Sequence, residues 1–340
     1  MKEFEHVIIL LDGAAPSFCY YPVERMERDI MPEEILRKVI SFCRQQGYYA
    51  TVAYGNEPPG EACMKLLADF PHTRIIPLKC ATDFNSSDIY TADFDEFEPF
   101  LLQLKPNKNL NIILRMNMDT VLDFTDLLER YWNRFKRLNV IFRDVTDADE
   151  TDLNTFRLHL VYLNDLLFNM YTCGKHVELN FVTDRMLHNE MNNCNAGATH
   201  FTIAPTGAFY VCPGFYHTFE SSSIGSLDLL GLSDPVGLGE NSDLPGLENP
   251  AGLKNRHLYG LEHAVICSIC DCFHCKRCVY LNKKTTFEVN TPSHQQCVTS
   301  HHERNLSGML LNRLKKRGFM NDVPNIEPLF YTDPYEVIKN

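Results

Sequence analysis

The sequence predicts an α/β fold with a parallel sheet, followed by a small cysteine-rich domain. Two observations support this prediction. The N-terminal half repeats one unit six times, in which a short β-branched run is followed by a turn and an amphipathic helical pattern. Buried-type strands that alternate with helices form parallel sheets with right-handed crossovers. The C-terminal part instead carries seven cysteines in two groups, at spacings that indicate metal binding.

The predicted elements follow one another in the order expected for such a sheet. Apolar, β-branched runs predict strands over 6–11, 48–54, 73–78, 110–116, 138–143 and 177–182. Amphipathic patterns predict helices over 32–47, 61–70, 94–104, 122–136 and 153–171. The first helix begins at Pro32, carries Cys43 on its apolar face as a core thiol, and ends at Gly47. These patterns leave open whether the sheet is flat or curled into a partial barrel.

Composition limits the classes of function. The chain has 340 residues, 44% of them hydrophobic and 22% charged, which is typical of a globular protein with room for two domains. A net charge of -12 argues against nucleic-acid binding. No apolar run is long enough to span a bilayer and the N-terminus does not fit a signal peptide, so we expect a cytoplasmic protein without a membrane partner. In that compartment the 13 cysteines indicate metal binding or catalysis rather than disulfides.

Composition also divides the chain. Residues 219–257 are dense in Gly, Ser, Pro and Asp and predict a long surface insertion. A last helix is predicted over about 302–317. The polar run HHERN near its start has two interpretations, a solvated helix start or side chains that orient metal ligands. We therefore predict an α/β domain, a cysteine-rich domain that contains the insertion, and a C-terminal tail, over 1–190, 191–318 and 319–340.

Seven cysteines carry the metal signal. The first group brackets CNAGATHFTIAPTGAFYVC and consists of Cys194 and Cys212. The second group opens with CSICDCFHCKRC and consists of Cys267, Cys270, Cys275, Cys278 and the later Cys297. Soft sulfur ligands suit zinc or an iron–sulfur cluster, and spacing alone leaves both open. Because six or seven thiolates exceed one zinc site, the count indicates two centres, and we interpret Cys272 as a bystander.

This layout resembles the SPASM domain, which follows the barrel in many peptide-modifying radical SAM enzymes. Cys194, Gly207 and Cys212 match the first half of the motif at the expected spacing. Cys267 and Cys270 match its CxxC, whereas the next two cysteines each come one residue early. The resemblance implies that the parallel sheet is a degenerate radical-SAM-type (β/α)6 partial barrel and that the small domain after it binds iron–sulfur clusters.

The same resemblance implies two auxiliary iron–sulfur clusters of the four-iron type. One would be held by Cys267, Cys270, Cys275 and Cys297. The other would be held by Cys194, Cys212 and Cys278. Its fourth position would be open or filled by His200, and an open iron position is suited to the capture of a substrate thiolate.

The ligands of the radical-generating cluster are missing. Radical SAM enzymes carry CxxxCxxC in the loop after the first strand, where this chain reads DGAAPSFCYYP. Cys19 stands at the third position, and Asp12 and Pro16 stand at the other two. One thiolate cannot hold a four-iron cluster, so we predict that this cluster is absent. Gly55 and Glu57 keep part of the GGEP turn that approaches the cofactor, and we expect S-adenosylmethionine not to bind at this vestigial turn.

The whole chain resembles the CXXX repeat peptide maturases, through LLDGAAPSFCYY near one end and CSICDCFHCKRCVYLNKK with HHERN near the other. This resemblance implies a role in the maturation of a ribosomally synthesised, post-translationally modified peptide. We expect an iron–sulfur protein that binds a cysteine-containing precursor peptide or a catalytic partner. Two alternatives stay open: an active radical SAM enzyme whose cluster uses Asp12 and Cys19, and a zinc-binding scaffold.

Overall fold

The computed structural model describes residues 5–22, 29–104, 109–188, 190–191, 193–219, 222–227, 256–270 and 272–326. The chain forms two compact units. The first comprises Met1–Thr91 and Asn195–His263, and the second comprises Ala92–Cys194 and Ala264–Asn340. The domain boundaries predicted near residues 190 and 318 stay predictions. The predicted insertion over 219–257 and tail over 319–340 lie largely outside the described residues.

Strands and helices alternate along most of the chain. Within the described residues the strands are β1 (His6–Leu10), β2 (Tyr49–Ala53), β3 (Thr73–Pro77), β4 (Ile89–Asp93), β5 (Leu110–Met116), β6 (Phe135–Phe142), β7 (Glu178–Leu179), β8 (His200–Ile203), β9 (Ala208–Tyr210) and β10 (Gly225–Ser226). The helices are α1 (Glu33–Gln46), α2 (Glu61–Ala68), α3 (Phe94–Gln103), α4 (Val121–Tyr131), α5 (Glu150–Thr172), α6 (Thr183–Leu187), α7 (Pro213–Thr218), α8 (Val265–Ser268), α9 (Val279–Thr286) and α10 (His294–Lys316).

The first unit is built on a parallel sheet with β1 in its interior. β1 pairs with β2 on one side and with β8 on the other, and β3 and β4 continue the sheet beyond β2. All of these pairs are parallel. The sheet ends on the other side with β9 and β10, which are antiparallel because a tight turn at Gly207 (φ 83°) reverses the chain after β8. Loops that follow β1 and β2 therefore leave the same edge of the sheet.

Helix α1 shows why the first unit folds as its pattern predicts. Its apolar face is buried, and Glu33 and Glu34 complement the positive end of the helix dipole. The helix ends where Gly47 adopts a left-handed conformation at φ 69°. Cys43 is fully buried on this helix, and burial raises its pKa to about 12, as expected for a core thiol.

The second unit contains a parallel sheet of β5, β6 and β7. Helices α3, α4 and α5 alternate with its strands, and α10 packs against α5. This packing includes a hydrogen bond of 3.0 Å from Asn164 Nδ2 to the Leu306 carbonyl oxygen. Among the described residues, no helix is both long and apolar enough to cross a membrane.

The predicted α/β class and its parallel sheet are confirmed, with three local differences. The pattern missed β4, whose sequence IYTAD is short and mixes polar with apolar residues. It also missed the short strands β8, β9 and β10. The prediction that the last helix begins near residue 302 was wrong. α10 begins at His294, because Ser293 and Gln296 form a capping box that starts it there.

Candidate metal centre

Four of the predicted ligands surround one pocket in the second unit. Its lining includes the sulfur-bearing side chains of Cys267, Cys270, Cys275 and Cys297. Met191, Ile266 and Pro292 contribute apolar walls to the same pocket. The structure therefore brings together the four residues assigned to one cluster, two from helices and two from the loop after α8. That they bind a cluster stays a prediction.

Helices α8 and α10 and the loop between α8 and α9 position these thiols. Cys267 lies on α8 and is buried. The loop that carries Cys270 and Cys275 bends at His274, whose φ of 57° is rare for a residue other than glycine. Cys297 lies in the first turn of α10, directly after the capping box. A hydrogen bond of 2.9 Å from Gln296 Nε2 to the Lys276 carbonyl oxygen ties this turn to the loop.

Backbone and side-chain N–H groups point at the sulfur atoms. The amide of Cys272 donates to Cys270 Sγ at 3.3 Å, and the amide of Arg277 donates to Cys275 Sγ at 3.3 Å. Asn193 Nδ2 lies 4.0 Å from Cys275 Sγ. Hydrogen bonds of this kind stabilise a thiolate ligand and are typical of iron–sulfur sites. The donor set and its surroundings fit a cluster bound through four sulfurs.

The raised pKa of Cys267 means that this thiol must lose a proton before it can bind a metal. Burial raises that pKa to about 12, and the neighbouring Cys275 and Cys270 raise it further, whereas Arg277 lowers it. Without a metal the thiol is therefore protonated at neutral pH. Because only the thiolate is a strong ligand, metal binding here releases a proton.

A buried ionic network lies beside the loop, and the sequence did not predict it. Glu303 of α10 is fully buried and accepts from Arg185 Nη2 at 2.6 Å and from Lys276 Nζ. Both cations are themselves almost fully buried. The interpretation of HHERN as a solvated helix start was wrong, because this run lies inside α10 and its glutamate faces the protein interior. Burial lowers the pKa of Lys276, and Glu303 opposes this shift.

Cys272 has a different environment from its neighbours in the loop. Its thiol is buried and donates to the Ser300 carbonyl oxygen at 3.0 Å. Arg185 Nη1 lies 3.4 Å from the same sulfur. Burial raises the pKa of this thiol, and its hydrogen bond ties the loop to α10. Cys272 also lines the pocket, and its interpretation as a bystander stays a prediction.

The second predicted ligand set is divided between the two compact units. Cys212 is buried at the start of α7 in the first unit, and Cys194 and Cys278 belong to the second. His200, the suggested fourth ligand, lies on β8 in the first unit. Burial lowers its pKa to about 4, with a further contribution from nearby His6, so the imidazole is neutral at pH 7. This second ligand set stays a prediction.

The loop after β1 is packed into the first unit. Asp12 is buried, and its Oδ1 accepts the Ala14 amide at 2.8 Å. Phe18 and Tyr21 are also buried, and Tyr21 stacks on His217 with ring centroids 4.6 Å apart. Cys19 is partly exposed, and its amide donates to the Ser17 hydroxyl at 3.3 Å.

The turn after β2, which the sequence predicts to be a vestige of a cofactor-binding turn, lies against this loop. A Cβ added at Gly55 would lie 2.3 Å from Asp12 Oδ2 and 2.7 Å from Asp12 Cβ, so the glycine permits close contact between the two loops. Glu57, the other residue retained from the turn, is exposed. The structure therefore places Gly55, but not the Glu57 side chain, in the interior beside Asp12.

Comparisons with known proteins identify the fold. No family model matches the chain, and no curated protein matches it. Among solved structures, the chain is similar to a histidine-tagged anSMEcpe with bound AdoMet, with a TM-score of 0.58 and 14% identity over 91% of this chain and 98% of that one. The chain has a radical SAM-type fold. A crystal structure of Streptococcus suis SuiB matches 64% of this chain and 62% of that one, with 13% identity and a low TM-score of 0.31.

Among the described residues, a group of one carboxylate and two imidazoles also lies close together, and the sequence did not suggest it. Ligand atoms of Asp184, His188 and His274 lie within 4.8 Å of one another in the second unit. Arg137 already donates to both oxygens of Asp184, at 3.0 Å to Oδ1 and at a shorter distance to Oδ2. Because this guanidinium repels a cation, we interpret the group as an ion pair with two flanking imidazoles. The sequence gives no signal for this group, because Arg137 and Asp184 are 47 residues apart.

Proposed function

We propose that this protein is an iron–sulfur protein of peptide maturation, built on a radical SAM-type scaffold that lacks the radical-generating cluster. It binds a cysteine-containing precursor peptide, or a catalytic partner that modifies the precursor. The observation that carries this proposal is the pocket formed by Cys267, Cys270, Cys275 and Cys297. When bound there, a four-iron cluster supplies one-electron chemistry and holds the loop and the helix together.

The chain's own residues support a resident cluster rather than a transient ion. The four thiols come from two separate segments, and backbone amides donate to two of them. Apolar side chains such as Ile266 and Met191 limit water around the sulfurs. A dry, hydrogen-bonded sulfur site favours iron–sulfur binding and tunes its potential.

The loop after β1 supports the absence of the radical-generating cluster. The structural neighbour is described with bound AdoMet. In this chain Pro16 offers no side-chain ligand, and Asp12 is buried and packed against Gly55. Cys19 alone cannot replace three thiolates. We therefore propose that this chain does not cleave S-adenosylmethionine.

An apolar surface next to the cysteine pocket supports contact with a peptide. Val265 and Ile269 lie on either side of Cys267 in the sequence, and they are 77% and 65% exposed. Large exposed aliphatic side chains beside a reactive site are typical of binding surfaces. We propose that a precursor peptide contacts this surface.

The proposal is tested by assaying the anaerobically reconstituted protein with dithionite and S-adenosylmethionine. We expect no 5'-deoxyadenosine above a no-protein control, and we expect a cysteine-repeat peptide to alter the spectrum of the iron–sulfur protein. The same peptide with serine in place of cysteine is the control and should have no effect. Release of 5'-deoxyadenosine would instead support the active enzyme that uses Asp12 and Cys19. Zinc without iron would support the scaffold alternative.

A further inference from the structure

The buried charges around Glu303 are unbalanced. Arg185, Lys276 and Glu303 are 3%, 7% and 0% exposed, and Arg277, which follows Lys276, is 2% exposed. Arg185 and Lys276 share the one carboxylate of Glu303, so these three side chains carry one net positive charge. Burying charge is costly unless something compensates it, and a group with negative charge nearby would do so.

These cations are in contact with the cysteine loop. Lys276 and Arg277 both line the pocket with the four thiols. Arg185 Nη1 donates to the Phe273 carbonyl oxygen at 2.7 Å and lies 3.4 Å from Cys272 Sγ. Lys276 Nζ also lies 5.3 Å from the centroid of the Phe142 ring. The positive charge is therefore fixed beside the ligands and is poorly screened.

We propose that Arg185 and Lys276, held in place by Glu303, are positioning residues that raise the reduction potential of the cluster bound by Cys267, Cys270, Cys275 and Cys297. This inference rests on the proposed function, because it requires a cluster in this pocket. A four-iron cluster with four thiolates carries one more negative charge after it accepts one electron. Nearby positive charge stabilises the reduced state more than the oxidised state. The electron comes from a low-potential one-electron reductant, and no bond or proton is exchanged.

The test is an EPR-monitored redox titration of the reconstituted full chain with dithionite as the reductant. In Lys276→Met one positive charge is lost, and the ratio of reduced to oxidised cluster at the wild-type midpoint should fall at least tenfold, or 59 mV for a one-electron couple. In Glu303→Gln a negative charge is lost, and the ratio should rise by a similar factor. Shifts of the reduction potential in opposite directions for the two partners of one ion pair would distinguish an effect of charge from a general disruption of the fold.

Three further variants keep the inference falsifiable if a single substitution impairs folding. The double variant Lys276→Met/Glu303→Gln preserves the net charge and should titrate within threefold of the wild-type ratio. Arg185→Met removes the other cation that donates to Glu303, and it should lower the ratio like Lys276→Met. Lys316→Met, at the exposed end of α10, is the control and should leave the ratio unchanged.

The outcomes separate this inference from the proposed function. Normal iron and sulfide content with unshifted potentials in the variants, or shifts of the same sign in Lys276→Met and Glu303→Gln, would overturn the inference alone. Zinc in place of iron in the wild-type protein would overturn both. We also expect Lys276→Arg to keep the wild-type reduction potential, because it keeps the positive charge.

Discussion

At the scale of single residues, two cysteines of one loop differ in their surroundings. Both line the pocket, but the Cys275 sulfur accepts a backbone amide, whereas Cys272 donates its own hydrogen to the Ser300 carbonyl oxygen. A ligand must present a sulfur lone pair to the metal, and a bystander need not. The spacing of the cysteines suggested this difference, and the direction of each hydrogen bond gives its physical reason.

Cys275→Ser should remove one cluster and leave the other. We expect iron to fall from about eight to about four per chain, because a hard hydroxyl is a poor ligand for iron in such a cluster. Cys272→Ser is the matched control, since serine can still donate to the same carbonyl, and it should keep its iron. Metal analysis of the anaerobically purified variants checks both, and equal iron loss in the two would refute this assignment of ligand and bystander.

Gly55→Ala should destabilise the first unit. The new Cβ would lie 2.3 Å from Asp12 Oδ2, so the packed loop must shift at a cost of about 1–3 kcal/mol. Gly60→Ala is the control, because nothing lies within 4 Å of its added Cβ. Chemical denaturation measures both variants. An unchanged free energy of unfolding in Gly55→Ala would show that Asp12 does not pack against this turn.

At the scale of elements, α10 connects the cysteine pocket to the buried ionic network. Its first turn carries Cys297, and Glu303 lies farther along the same helix. The sequence predicted a helix in this region but placed its start too late. The polar run HHERN suggests a solvated helix face because the sequence does not show which distant residues pack against it. Glu303 is in fact paired with Arg185, which is 118 residues away in sequence. Pairings of this kind depend on tertiary packing.

Ser293→Ala should weaken the start of α10. It removes the side-chain acceptor of the Gln296 amide and should cost about 1 kcal/mol. Because Cys297 is in the same turn, we also expect faster loss of iron to a chelator. Ser87→Ala, in an exposed loop, is the control. Thermal unfolding and chelation kinetics measure the two effects, and wild-type behaviour in Ser293→Ala would argue against the capping role.

His200 on β8 should make stability depend on pH. Its pKa is about 4 in the folded chain and 6.5 in the unfolded chain, so the unfolded state binds an extra proton between these values. The free energy of unfolding should therefore fall as pH decreases from 6.5 to 4, by up to about 3 kcal/mol from this residue. His200→Gln should flatten this part of the profile, whereas a change at the exposed His176 should not. Loss of cluster iron in His200→Gln would instead indicate a ligand.

At the scale of the whole molecule, the sequence predicted the fold class better than its details. Long apolar runs such as those of β1 and β5 identify buried parallel strands, because such strands contact protein on both faces. Short strands such as β8 and β9 carry too few residues for a period, and their pairing with β1 and with each other defines them. The four thiols of the pocket were predicted because a metal site requires a fixed ligand spacing.

The most direct test of the central claim is the iron and acid-labile sulfide content of the protein after anaerobic purification and reconstitution. The account predicts about eight of each per chain, from two four-iron clusters and no radical-generating cluster. About twelve of each would contradict the predicted loss of the cluster at Asp12, Pro16 and Cys19. Zinc with neither iron nor sulfide would contradict the iron–sulfur assignment itself.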